Sequence, residues 1–279
     1  MTKAAKYAAI PSILYGTAWK EENTQRLTYQ ALNLGFRGID TANQRKHYFE
    51  AAVGLGIQQF LQDSHLTRED LFLQTKFTSA SGQDHRKPYD DLDSFANQVK
   101  QSFESSLQHL QTDYIDSYIL HGLALSQGLI DADWEAWNAM EHLFHEGKMK
   151  FLGISNINLA QLELLCSKVA IKPSFVQNRC FAATQWDQKI RSFCAQQGIT
   201  YQGFSLLTAN QNALFSPLMR VLATKYSKTI PQIIFRFASQ IGMLPLTGTT
   251  DQQHIRDDLT ISDFELGLDD LNKIEQLND

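Results

Sequence analysis

The sequence predicts an α/β fold, a single (β/α)8 TIM barrel occupying residues 1–279. Two patterns and the length carry that prediction. Short runs rich in β-branched and aromatic residues alternate with stretches of helical periodicity, as parallel strands joined by crossover helices do. Eight such runs are present, and eight strands alternating with helices fit a closed barrel better than an open sheet. The chain has 279 residues, and such a barrel typically needs roughly 250. Glycine and proline are scattered rather than clustered, so no linker divides the chain.

The first run is SILYGTA (12–18). Asn23 or Thr24 is placed to cap the helix that follows, and Gly35 to end it. FRGIDTA (36–42) is the second run and leads into a helix near 49–62. After LFLQTKF (71–77), Phe95, Val99, Phe103, Leu107 and Leu110 fall on one helical face. YIDSYILHG (114–122) precedes a helix carrying Trp134, Trp137, Met140 and Phe144, with Gly147 as its stop. MKFLGIS (149–155), PSFVQN (173–178) and ITYQGFS (199–205) supply the fifth to seventh strands. Thr229 and Pro231 open a helix through Ile233, Ile234 and Phe237. MLPLTG (243–248) is the eighth strand, and Leu268, Leu271 and Ile274 belong to a final helix.

Composition narrows the function. Hydrophobic residues make up 43% of the chain, enough for a sizeable core and too many for a disordered segment. A net charge of −5 disfavours a general nucleic-acid binder, which needs a basic face. It leaves room for a local basic pocket holding a phosphorylated cofactor. The three cysteines, Cys166, Cys180 and Cys194, contain no CxxC pair, so neither a disulfide framework nor a zinc site is expected. No signal-peptide core and no membrane-length apolar run is present. A cytoplasmic protein without a metal is the expectation.

Three of the apolar runs stop at an ionisable group, Asp40, Lys76 and His121, and Tyr48 follows one of them. In parallel α/β barrels ligands bind beyond the carboxyl ends of the strands, so these residues are expected to meet at one mouth. An acid, a lysine, a histidine and a tyrosine together make a proton-transfer site.

The words GFRGIDTA, HYFEAAVG, LQTKF, DYIDSYILH, FLGISN, VQNRCF and ITYQGFS, in that order over nearly the whole length, resemble the aldo-keto reductases. The resemblance implies a barrel that binds NADPH or NADH and reduces aldehydes or ketones. On that reading Tyr48 is the proton donor, Lys76 the ammonium that makes the phenol more acidic, Asp40 the anchor of Lys76, and His121 a donor to the carbonyl oxygen. One departure from the family stands out. NQRKH intervenes between Ala42 and Tyr48, where the tyrosine usually follows sooner, and the interval from Tyr48 to the VG pair is shortened.

For the cofactor, the resemblance implies that Ser155, Asn156 and Gln177 hold the nicotinamide carboxamide and that Phe204 stacks on its ring. Gly16, Thr17, Ala18 and Asp40 approach it, Ser205 and Leu207 offer backbone N–H groups to the pyrophosphate, and Thr247, Gly248, Thr249, Thr250, His254 and Asp258 hold the adenosine end. NADPH is favoured, and NADH stands as an alternative because Leu246 and Thr250 occupy the places where a basic residue is usual. Trp19 and Phe77 are candidate apolar walls for a small carbonyl substrate. Gly122 replaces the common tryptophan after the histidine, and the chain stops soon after its last helix, so an open pocket is expected. A monomer is implied. Two other readings are compatible with the residues: a Schiff-base aldolase using Lys76, or a nucleotide-binding barrel without turnover.

Overall fold

The computed structural model describes residues 9–277. Its eight strands, β1 (Leu14–Gly16), β2 (Gly38–Asp40), β3 (Phe72–Phe77), β4 (Ile115–Leu120), β5 (Met149–Ser155), β6 (Phe175–Arg179), β7 (Thr200–Phe204) and β8 (Met243–Thr247), form one closed parallel barrel in sequence order. The first strand closes it against the last, Tyr15 opposite Thr247. The (β/α)8 expectation is met.

β1 and β2 are three residues each, shorter than the seven-residue runs that mark them. The chain beyond them stays tied across the barrel wall: Thr17 N–H donates to the Asp40 carbonyl at 3.0 Å, and Thr41 N–H to the Gln74 carbonyl at 2.9 Å.

The helices are α1 (Thr24–Leu34), α2 (Glu50–Asp63), α3 (Phe95–Leu110), α4 (Asp131–His145), α5 (Leu159–Lys168), α6 (Gln188–Gln197), α7 (Gln211–Leu214), α8 (Pro217–Tyr226), α9 (Ile230–Gln240), α10 (Gln252–Leu259) and α11 (Leu268–Glu275). Gly35 closes α1 at a φ of 123°, a conformation open to a residue without Cβ. Neither proposed cap of α1 acts as one: Asn23 makes no capping bond, and the Thr24 hydroxyl donates back to the Glu21 carbonyl at 2.6 Å. At α9 the Thr229 hydroxyl does accept from the Gln232 N–H, with Pro231 in the first turn. No helix among the described residues is long and apolar enough to cross a membrane.

Strand alternation sorts the side chains into two cores. Leu14, Phe72, Ile119, Phe175, Leu244 and Leu246 plug the barrel interior. Their outward neighbours, such as Leu73, Tyr118, Leu152 and Val176, join a larger layer between strands and helices. In β3 this puts Phe72, Gln74 and Lys76 inside and Phe77 outside. Phe77 is buried against Tyr89, ring centroids 5.7 Å apart. The expectation that Phe77 walls a substrate pocket is therefore corrected, because adjacent strand residues cannot both face the interior.

One glycine sets how closely two helices pack. A Cβ built on Gly54 of α2 falls 1.9 Å from the His109 carbonyl oxygen of α3. Backbone cannot yield as a side-chain tip can, so Gly54→Ala forces the helices apart. Overpacking of this kind costs about 1–3 kcal/mol or more. Urea denaturation is expected to show a midpoint lowered accordingly, with an unchanged slope.

Candidate active site

The C-terminal ends of the strands open into a cavity of about 840 Å³. Beneath its floor lies a polar tier. Lys76 Nζ donates to both oxygens of Asp40, each at 2.7 Å, and to the Thr41 carbonyl at 2.8 Å. Asp40 also accepts from Gln74 Nε2 at 2.7 Å and Gln177 Nε2 at 3.0 Å. Gln202 accepts from both amides through its Oε1, at 2.8 and 2.9 Å, and returns a bond to Gln74 at 3.0 Å. Lys76 and Asp40 are both buried, so each charge depends on the other and on these amides. Gln74 and Gln202 were not anticipated. The signal was available, because each is a polar residue at an inward position, Gln74 between Phe72 and Lys76 and Gln202 between Thr200 and Phe204.

Tyr48 reaches this pair although more residues than usual precede it. The intervening segment folds back on itself: the N–H groups of His47 and Tyr48 both donate to the Gln44 carbonyl, at 3.1 and 2.9 Å. Asn43 is pinned to α3 through the Ser102 carbonyl at 3.0 Å and the Ser106 hydroxyl at 3.2 Å. Gln44 donates to the Gly82 carbonyl at 2.6 Å. The turn returns the Tyr48 ring to the mouth, where Lys76 Nζ lies 5.2 Å from its centroid and the His121 ring 6.0 Å away.

Burial dominates the titration of these groups. It pushes the Tyr48 phenol well above its ordinary range, and the Asp40 carboxylate adds to the effect. The Lys76 ammonium, committed to Asp40, does not offset this rise in the unreacted site. Burial also lowers Lys76, against the pull of Asp40. His121 is pushed down to about 3 by burial, with Lys76 and His47 contributing, so it is a neutral imidazole at physiological pH. Its Nδ1 lies 2.6 Å from the Thr78 hydroxyl.

Around the rim, Gly16, Ala18 and Trp19 line the cavity on the β1 side, with Asp40, Tyr48 and His121 at its base. Ser155, Asn156, Gln177, Phe204, Ser205 and Leu207 follow from β5 to β7. Thr247, Gly248, Thr249, Thr250, His254 and Asp258 complete it. Thr17 is the exception. Its hydroxyl donates to the Asp40 carbonyl at 3.0 Å and is buried away from the cavity. Trp19 is 69% exposed and stacks on His47, ring centroids 4.1 Å apart. Thr247 donates to Asp258 at 2.7 Å, and burial raises that carboxyl to about 6.

The amides near β5 and β6 have their hydrogens committed within the chain. Asn156 Nδ2 donates to the His121 carbonyl at 2.8 Å and to Ser155 Oγ at 3.2 Å. Ser155 donates to the Gln177 carbonyl at 2.6 Å. What Asn156 and Gln177 have left for a ligand is a carbonyl oxygen each, a pair of acceptors that suits an amide NH2.

Two cations that the sequence reading passed over also line the cavity, Lys20 and Arg179. Lys20 is buried, donates to the Gly248 carbonyl at 2.8 Å, and is lowered by burial to about 8. Its signal was its place four residues after Gly16 in the first loop. Arg256 is exposed and not among the lining residues.

A family model for the aldo/keto reductases matches residues 13–279. The chain is 31% identical over 263 residues to a glyoxal reductase of Bacillus subtilis, covering 93% of this chain and 86% of that one. It is 34% identical over 245 residues to an uncharacterized oxidoreductase of the same organism, covering 88% and 80%. A Bombyx mori aldo-keto reductase solved in complex with NADP superposes with a TM-score of 0.80 at 25% identity, covering 98% of this chain and 93% of that one. The chain belongs to the aldo/keto reductase family.

Removing Lys76 alone would leave the Asp40 carboxylate buried without its counter-ion. Lys76→Met is expected to cost about 3–5 kcal/mol of stability, read by urea denaturation. Adding Asp40→Asn in the same chain is expected to recover part of that loss, because the uncompensated charge is then gone.

Proposed function

We propose that the chain reduces aldehydes and ketones to alcohols with NADPH, and that Tyr48 delivers the proton. The observation that carries this reading is the Tyr48 ring set beside His121 and above the buried Asp40–Lys76 pair. The bound cofactor supplies the hydride to the carbonyl carbon. On this reading the Thr78 hydroxyl donates to Nδ1, so that neutral His121 keeps its proton on Nε2 and holds the carbonyl oxygen. As that oxygen becomes an alkoxide, the Tyr48 hydroxyl transfers its proton to it. The resulting phenolate lies near Lys76, whose ammonium stabilises it until a solvent proton restores the phenol.

Asn156 and Gln177 would accept from the carboxamide, and Phe204 offers a flat face for the ring. Backbone N–H groups at Ser205 and Leu207, together with the Lys20 ammonium, suit the pyrophosphate. The named activity of the Bacillus subtilis glyoxal reductase and the NADP in the Bombyx mori complex support this reading. One observation favours NADH as a second reading. The Asp251 carboxylate caps α10, accepting from the Gln253 and His254 N–H groups at 2.8 and 3.0 Å. That places a negative charge at the helix terminus expected to meet the adenosine phosphate. The Schiff-base alternative is disfavoured, since all three hydrogens of the Lys76 ammonium are engaged.

Tyr48→Phe is expected to lower kcat by about 100-fold or more for a panel of small aldehydes, with NADPH affinity retained in a fluorescence titration. Wild-type protein that binds NADPH yet reduces no carbonyl would sink the proposal. Because Tyr48 is raised and His121 lies near 3, neither leaves its working form between about pH 5 and 9. Lys20 is cationic below about 8 and neutral above it. Cofactor affinity is therefore expected to weaken as the pH rises from 7 to 9, and the same titration reads it. With Asp251 opposing a 2′-phosphate, NADPH and NADH are expected to differ by no more than about tenfold in affinity.

A further inference from the structure

Arg179 ends β6, two residues beyond Gln177. Alternation places Phe175, Gln177 and Arg179 on the same strand face, the one that looks into the barrel and then over its mouth. The side chain is exposed and lines the main cavity. Its guanidinium makes no hydrogen bond or ion pair among the described residues. Its one recorded contact is with the Phe204 ring, 5.8 Å from the centroid. A guanidinium carries five donors in a fixed fork, so Arg179 brings unused anion-binding capacity to the mouth.

The charges around it point the same way. The acids lining the cavity are Asp40 and Asp258, and both are buried and bonded, to Lys76 and Thr247. The other lysine or arginine in the lining is Lys20, which is held to Gly248 on the β1–β8 side. His121, two strands from Arg179, is uncharged at neutral pH. Among the lining residues, Arg179 is thus the one permanent cation between β4 and β7.

We propose that Arg179 is a specificity residue that anchors a carboxylate on the carbonyl substrate, so that the preferred substrates are anionic oxo or formyl acids. This rests on the carbonyl-reductase reading above. On that reading the cofactor presents its uncharged carboxamide and ring to Asn156, Gln177 and Phe204, and its phosphates to Lys20 and the β7–β8 loops. The anion that meets a guanidinium beside Phe204 then belongs to the other reactant. A paired two-bond contact with a carboxylate fixes orientation as well as affinity. It would hold the reacting carbonyl toward Tyr48 and His121.

The test compares 4-carboxybenzaldehyde with methyl 4-formylbenzoate, which share a ring and an aldehyde and differ in charge. The wild-type protein is expected to prefer the acid in kcat/KM, mainly through KM. Arg179→Gln is expected to lower the acid-to-ester ratio about tenfold, and Arg179→Lys to restore part of it. A calorimetric titration with 4-(hydroxymethyl)benzoate and its uncharged amide measures the same anchor without turnover, and Arg179→Gln is expected to weaken only the first. An unchanged ratio and unchanged benzoate binding would overturn the proposal. So would an equal loss for both substrates with weakened NADPH binding, which would assign the guanidinium to the cofactor. If the wild-type protein reduces neither aldehyde, the reductase reading fails, and the titration still decides whether Arg179 binds a carboxylate.

Discussion

The structure is organised around one constraint, a carboxylate and an ammonium buried together inside a barrel. Neither Asp40 nor Lys76 could stay charged there alone, because desolvation costs several kcal/mol per ion. The solution is a set of bonds that leaves neither group short. Lys76 spends its three hydrogens on Asp40 and a backbone carbonyl, and Asp40 takes two more bonds from glutamine amides. Gln202 then satisfies both glutamines. Four strands, β2, β3, β6 and β7, are thereby fixed in relative height at one level. An apolar plug below and a cavity above make this tier the floor on which any ligand rests.

Most of the barrel could be read from the chain, because each strand announces itself as an apolar run and alternates with a helical period. What could not be read was the role of the polar interior. Gln74 and Gln202 sit in strands whose polar residues carry no motif of their own, and the bond between them spans the barrel. Phe77 departs from expectation for the complementary reason: next to Lys76 in sequence, it faces the opposite side of the wall. Thr17 does so similarly, since a hydroxyl beside a strand end can bond backward to its neighbour. Residues at the ends of strands were legible because the fold brings all such ends to one mouth. Lys20 and Arg179 share that location, and counting by two from Gly16 or Gln177 reaches the rim as surely as any motif.

The segment before Tyr48 shows how a length change can be absorbed without moving a side chain of interest. Extra residues in an extended loop would carry the phenol away from the barrel. Here they are wound into a turn on Gln44, and the turn is fastened on both sides, by Asn43 to α3 and by Gln44 to Gly82. Trp19 closes the arrangement from the first loop, its N–H donating to the His47 carbonyl at 2.8 Å. Side-chain amides buried in a loop are costly unless bonded, so such a turn is specified by its polar residues and not by apolar pattern. That is why spacing alone left its course open.

A phenol raised by burial looks at first like a poor acid, yet on the proposed reading the raised value has a use. A proton donor must still hold its proton when the substrate arrives, and a dry site next to Asp40 ensures that Tyr48 does. The balance changes only when negative charge builds on the substrate oxygen within reach of the phenol. The proton then moves from one oxygen to another in the same cavity, and the anion it leaves behind is the one nearer Lys76. An interaction that is weak with substrate bound and strong as the alkoxide forms lowers the barrier rather than merely tightening binding. The buried ion pair matters for the same reason. An ammonium free to reach the phenol would ionise it early, whereas one held down by Asp40 contributes its field at a fixed distance and keeps its proton.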